Sequence, residues 1–246
     1  MLGAIAGRAW VMAERLILLP GWGFGCAPLE PLADALGPHL QVRIEPLPGF
    51  AHAQVELWLD ALDERLPRGA WLGGWSLGGM LASLLAVRRG KDCPGLLTLA
   101  SNASFIANEA WPEAMPAATF PAFCDAYGQT PSATLKRFAM LCSQGAADAR
   151  GLSRRLMAQA GGADSMAGLD LLAVLDTRSA LRHFEGAQLH LFADADALVP
   201  VSAAAAVQAL QPAAEVRSIA GASHAFVVEQ AVEVAATLIR FMEAQA

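Results

Sequence analysis

The sequence predicts an α/β protein with a mostly parallel central sheet flanked by helices and a helical segment inserted into it. Three observations lead there. Short apolar runs alternate with helical periods between Leu16 and Ala100, the alternation gives way to helices alone from about Ser104 to Phe184, and it resumes at Gln188. The expected division is a core of residues 1–103 and 185–246 with a helical cap over 104–184.

Taken in order, residues 16–19 are a strand-like apolar run, 29–36 are helical, 42–47 strand-like, 55–66 helical and 70–75 strand-like. In the second helix Val55, Trp58, Leu59, Leu62 and Leu66 recur at helical spacing, while Glu56, Asp60, Asp63 and Glu64 take the other side. Trp58 therefore reads as core rather than as a ligand platform. A helix follows Ser76, and a strand-like run covers 96–100. Helical stretches at 134–143, 147–160 and 169–174 fill the insertion. Strand-like 188–193, helical 202–210, strand-like 216–219 and helical 229–244 complete the layers.

Composition narrows the function classes. With 246 residues, 55% of them hydrophobic, the chain is long enough to bury a full core, and one domain with a cap fits that length. A net charge of -6 offers no basic field for nucleic acid. The four cysteines, Cys26, Cys93, Cys124 and Cys142, have no C-x-x-C spacing, so neither a zinc site nor a redox pair is expected. They read as reduced packing residues of a cytoplasmic protein. No apolar run approaches the roughly 20 residues of a membrane span. The Ala/Gly-rich start is poorly patterned, and translation is expected to begin at Met12, with 1–11 a loosely held extension.

The chemistry is carried by Gly74-Trp75-Ser76-Leu77-Gly78 between a strand-like run and a helix. A serine on such a turn has its hydroxyl exposed above a helix N-terminus, the nucleophile elbow. The turn is strained and brings the residues two before and two after the serine together, so only small side chains fit there. Serine is a weak nucleophile and needs a base oriented by an acid, in the chain order Ser, Asp or Glu, His.

Of the five histidines, His224 lies between the last strand and the last helix and is the candidate base. His39 and His52 precede Ser76, His183 lies at the exit from the insertion, and His190 alternates within a strand. For the acid, Asp196 begins the turn before Pro200 and fits better than Asp194 at the strand end. The oxyanion needs two fixed donors. The N–H of Leu77 is one, and the N–H of Trp22, in Pro20-Gly21-Trp22-Gly23-Phe24-Gly25, is the other.

These motifs resemble the α/β-hydrolase family and, within it, the carboxylesterases of biotin synthesis that demethylate pimeloyl-acyl-carrier-protein methyl ester. The similar pieces are Leu16-Ile17-Leu18-Leu19-Pro20-Gly21-Trp22-Gly23, Leu47-Pro48-Gly49-Phe50, Gly74-Trp75-Ser76-Leu77-Gly78-Gly79, Ala110-Trp111-Pro112, Asp196-Ala197-Leu198-Val199-Pro200 and Ser223-His224-Ala225. Two departures stand out: Pro20-Gly21 replaces the usual His-Gly, and Pro46-Leu47-Pro48-Gly49-Phe50-Ala51-His52-Ala53 replaces Asp-Leu-Pro-Gly-x-Gly-x-Ser.

The resemblance implies an α/β-hydrolase fold and a Ser76, Asp196, His224 triad. No metal or organic cofactor is expected, nor nucleic acid or membrane as partner, and the chain is expected to be a monomer. The resemblance also implies an acyl-carrier protein as partner, met by Arg137, Arg150 and Arg154, and an acyl channel lined by Phe138. Solvated helix faces and ordinary cap core would carry the same residues. Two other readings share these motifs. One is a broad carboxylesterase or acyltransferase on small esters, and the other is a non-catalytic binding protein on the same fold.

Overall fold

A computed structural model describes residues 15–159 and 166–245; the expected Met12 start and the segment before it lie outside the described residues, as does Ala160 at the end of one expected helix. The chain opens with β1 (Arg15–Leu19), α1 (Glu30–Leu36), β2 (Gln41–Ile44), α2 (Val55–Arg65), β3 (Trp71–Trp75), α3 (Leu77–Arg89) and β4 (Gly95–Leu99). Five helices follow: α4 (Phe120–Gln129), α5 (Pro131–Ser143), α6 (Ala149–Gln159), α7 (Met166–Val174) and α8 (Arg178–His183). The alternation then resumes with β5 (Ala187–Ala193), α9 (Ser202–Leu210), β6 (Glu215–Ile219), α10 (Phe226–Glu229) and α11 (Ala231–Glu243).

The six strands form one sheet in the order β2-β1-β3-β4-β5-β6, every neighbouring pair parallel. Registers such as Leu18 beside Gly73, Leu97 beside Leu189 and Leu191 beside Arg217 tie it together. All residues of β3 and β4 are buried, which is why they read as mainly apolar runs, with Thr98 the polar exception in β4. The edge strands β2 and β6 are half exposed. The chain leaves β1 first toward β2 and later crosses to β3 on its other side. The carboxyl ends of β1 and β3 therefore flank a reversal of winding, where an open α/β sheet leaves a crevice.

Some elements differ from their sequence signals. The run over 42–47 pairs only as far as Ile44, with one further bond from Glu45 N to Leu18 O, because Pro46 and Pro48 bring no N–H to a ladder. The helix expected over 229–244 is two helices, broken at Gln230 (φ -122°, ψ 31°). The stretch between β4 and β5 adds no strand to the main sheet among its described residues. It does hold isolated bridges, Ser104 with Asp176, Ile106 with Met115 and Asn108 with Trp111. Trp58 is core, 2% exposed, with its indole N–H donated to His52 O.

His190 sits inside this sheet. Both Gln188 Nε2 donors are used on Leu181 O and Phe184 O, so Gln188 Oε1 accepts from His190 Nε2 at 3.3 Å, and Thr98 Oγ1 donates to Nδ1 at 2.7 Å. The ring is neutral, and burial pushes its pKa down from 6.5 to about 4. The unfolded chain thus takes up a proton that the folded chain refuses. Stability from this group is whole above about pH 6.5 and is lost as pH falls toward about 4. Its slope approaches about 1.4 kcal/mol per pH unit inside that window. Urea midpoints across the window check this: His190→Gln, which cannot titrate, gives the flatter curve, and parallel curves would contradict it.

Candidate active site

Ser76 follows β3 directly and begins α3 with φ 54° and ψ -120°, a backbone conformation that costs a non-glycine residue about 1–3 kcal/mol. The surroundings hold it there. Its N–H donates to Leu99 O at 2.9 Å, and its carbonyl accepts from Gly79 N at 3.0 Å and from Ser101 Oγ at 2.8 Å. The glycines are required by contact. A Cβ on Gly74 would lie 2.2 Å from the Gly78 carbonyl carbon, one on Gly78 2.1 Å from Leu19 O, and one on Gly79 2.7 Å from the Ser101 side chain. The turn is so closed that β1, β3 and α3 meet backbone to backbone beneath the serine.

Asp196 and His224 meet across the loops that follow β5 and β6. Asp196 Oδ1 accepts the N–H groups of Leu198 (2.7 Å) and Val199 (3.0 Å), and Oδ2 accepts His224 Nδ1–H at 2.8 Å. Both side chains are fully shielded from solvent. A carboxylate with this donor set leaves Nδ1 as the protonated nitrogen, so Nε2 carries the lone pair. Nε2 is buried with no hydrogen-bond partner among the described residues. Asp194, the other candidate acid, is exposed, and its N–H bonds Ile219 O. His39 and His52 lie in loops, His183 ends α8, and none of the three meets this pair.

The His224 loop has several supports that the motifs do not reveal. Glu229 Oε1 accepts from Ser223 N (2.9 Å) and Ser223 Oγ (2.6 Å), and Ala225 N donates to Cys142 O at 3.1 Å. Trp75 Nε1 donates to His224 O at 2.8 Å. Gly145, just past α5 at φ 94°, packs so tightly that a Cβ there would lie 2.5 Å from Ala195 O. A glycine beyond a helix end is a readable stop signal, but its partner fifty residues on is not. Burial, and then the nearby Asp196 carboxylate, push the Cys142 thiol well above its ordinary range, so it remains a neutral thiol.

The loop after β1 abuts the elbow: a Cβ on Gly21 would fall 2.9 Å from the Trp75 ring and 3.3 Å from Ser76 Cβ. Trp22, 2% exposed, meets Phe138 and Tyr127 edge to face at 5.0 Å, and Phe24 stacks on Phe138 at 5.5 Å. Leu77 is the first residue of α3, so its N–H has no acceptor within the helix. Phe138 and Leu141 of α5, with Phe105, Phe120 and Phe123, line a wholly apolar cavity of about 50 Å³. The larger groove, about 570 Å³, lies on the other side of α5 against α6. It is lined by Lys136, Arg137, Met140, Leu141, Arg150 and Arg154.

A winding reversal between β1 and β3, a strained serine at the start of α3 and a buried carboxylate–imidazole pair are the arrangement of the α/β-hydrolase class of folds. Residues 16–237 match the model of the alpha/beta hydrolase family, and the chain belongs to that family. It is 32% identical over 241 residues to the pimeloyl-[acyl-carrier protein] methyl ester esterase of Vibrio cholerae, covering 93% of this chain and 94% of that protein. It is 36% identical over 219 residues to the biotin biosynthesis bifunctional protein BioHC of Cellvibrio japonicus, covering 85% of this chain. The chain spans less than half the length of that relative (44%) and of the corresponding protein of Teredinibacter turnerae (45%). Among solved structures, a bromoperoxidase from Bacillus anthracis superposes with TM-score 0.83 at 20% identity, covering 94% of this chain and 92% of that one. That likeness speaks to the fold.

The elbow contacts generate a direct expectation. Gly78→Ala destabilises the chain by about 3 kcal/mol or more, because backbone rather than a flexible side chain meets the new Cβ. Gly49→Ala, where nothing lies within 4 Å, stays within about 0.5 kcal/mol of the parent. Urea midpoints of the two variants measure the contrast, and equal stabilities would contradict the packing described.

Proposed function

We propose that this chain is a serine carboxylesterase that hydrolyses the methyl ester of pimeloyl-acyl-carrier protein to pimeloyl-acyl-carrier protein and methanol in biotin synthesis. The Asp196–His224 pair carries the catalytic part of this reading: the acid is saturated with donors and the base has a free, buried Nε2. Similarity to the Vibrio cholerae esterase over nearly the whole of both chains supports the substrate.

In this mechanism Ser76 Oγ attacks the ester carbonyl while His224 Nε2 takes its proton, and Asp196 stabilises the resulting imidazolium. The N–H groups of Leu77 and Trp22 hold the oxyanion as the carbonyl becomes tetrahedral. Collapse breaks the C–O bond to the methoxy group, which leaves as methanol with the proton from His224. Water, deprotonated by the same imidazole, then cleaves the acyl-enzyme and regenerates Ser76. No metal or organic cofactor enters these steps.

Residues 104–184 act as a cap in this account. The apolar cavity beside Phe138, lined from α4 and α5, suits a polymethylene chain. Outside, Lys136, Arg137, Arg150 and Arg154 are exposed and make no ion pair among the described residues, with Met140 58% exposed between them. On a chain of net charge -6 this is a local basic, partly apolar surface for an acidic carrier protein. We place the reaction in the cytoplasm, in keeping with four free cysteines. No helix among the described residues is long and apolar enough to cross a membrane. The chain acts here as a monomer, without nucleic acid. The small size of this cavity equally favours a second reading, a general carboxylesterase on short esters.

The deciding experiment compares kcat/KM on pimeloyl-acyl-carrier-protein methyl ester with that on a short nitrophenyl ester. Strong preference for the carrier-linked ester is expected, and activity confined to the short ester would leave the general esterase. Charge reversal of Arg137, Arg150 and Arg154 together lowers the ratio of the two kcat/KM values by about tenfold or more, an effect that shrinks as salt rises. Ser76→Ala lowers kcat on the order of 10⁶-fold, and retained turnover would sink the mechanism.

A further inference from the structure

We propose that Trp75 is a positioning residue for the reaction: its indole N–H holds the main chain of His224 and thereby fixes the reach of the imidazole to Ser76. The inference rests on the triad reading above. Trp75 ends β3 and is bonded directly to Ser76. Its Nε1 donates to His224 O at 2.8 Å across 149 residues of chain, with Trp75 1% and His224 0% exposed. The two rings lie 5.6 Å apart, centroid to centroid.

Among the described residues no backbone N–H is bonded to His224 O, so without the indole a buried acceptor is left unpaired. The neighbours of His224 are held from other elements, Ser223 by Glu229 of α10 and Ala225 by Cys142 of α5. Asp196 holds the ring only at Nδ1. The peptide of His224 itself is tied to the strand that carries the nucleophile. The separation of base and nucleophile is therefore set along a short path of one side chain and one hydrogen bond.

The same indole also sets the floor of the loop carrying Trp22. It occupies the space a side chain on Gly21 would need, and Phe24 lies nearly parallel to it, 6.5 Å away with the planes 20° apart. One side chain thus touches the oxyanion loop, adjoins the nucleophile and restrains the base. The two jobs separate chemically, because the ring packs against the loop and only the N–H reaches His224.

Replacing Trp75 site-specifically with 3-benzothienylalanine keeps the bicyclic shape and puts sulfur where the N–H was. On a short nitrophenyl ester, kcat is expected to fall about tenfold or more with KM within about twofold of the parent, and phosphonylation of Ser76 by a fluorophosphonate slows by the same factor. Trp75→Phe, which also lacks the donor, loses at least as much. A benzothienyl protein with kcat within about twofold of the parent, or with its loss confined to KM, would overturn the positioning role and leave Trp75 as packing. A parent protein that the fluorophosphonate fails to label would instead overturn the triad on which the inference rests.

Discussion

The structure turns on the backbone of Ser76, held at φ 54° where a side chain is unfavourable. That conformation persists because bonds to Leu99 O, Gly79 N and Ser101 Oγ secure the peptide on either side of it. The surrounding glycines are its consequence rather than an independent motif. Gly74 and Gly78 let the chain double back, and Gly78 lets α3 start against Leu19 and Pro20 of the adjacent strand and loop. The sheet order makes the same demand from below, since the winding reverses between β1 and β3, and β3 runs directly into the serine.

Helix α5 joins the outside of the molecule to this centre. One side presents Phe138 to Trp22 and Phe24 of the loop after β1. Its last turn accepts the N–H of Ala225, and Gly145 just beyond it packs on Ala195, beside His224 and Asp196. The other side carries the basic groove with Arg137 and Met140. Leu141 lines both the groove and the apolar cavity, so the two compartments are separated by little more than the helix itself. In the proposed reaction, a carrier protein seated on the groove stands one helix away from the chemistry.

Much of this was legible in residue order, for identifiable reasons. Strands β1, β3, β4 and β5 are almost wholly buried and so appear as mainly apolar runs, interrupted only by groups such as Thr98, Gln188 and His190, and Ser202–Leu210 reads as a helix over its full length. The elbow is visible because its geometry restricts residue types locally. What stayed hidden depends on distant partners. The turn before Pro200 favours Asp196 over Asp194 in the sequence, but the Leu198 and Val199 N–H groups and the His224 ring that meet its carboxylate come together only in the fold. Gln230 breaks the last helix without being a breaker residue, and Leu47 looks like strand although the prolines beside it end the ladder. The bonds from Trp75 to His224 and from Ala225 to Cys142 have no signature in either segment.

The proposed reaction requires one strained serine, one imidazole nitrogen and two main-chain donors to converge on a single reacting carbon. A crystal structure of the protein after reaction with a fluorophosphonate tests it most directly. The account predicts phosphorus on Ser76 Oγ, the phosphonyl oxygen about 2.7–3.1 Å from the nitrogens of Leu77 and Trp22, and His224 Nε2 hydrogen-bonded to the ester oxygen. An adduct on another residue, or a phosphonyl oxygen turned away from both N–H groups, would contradict it.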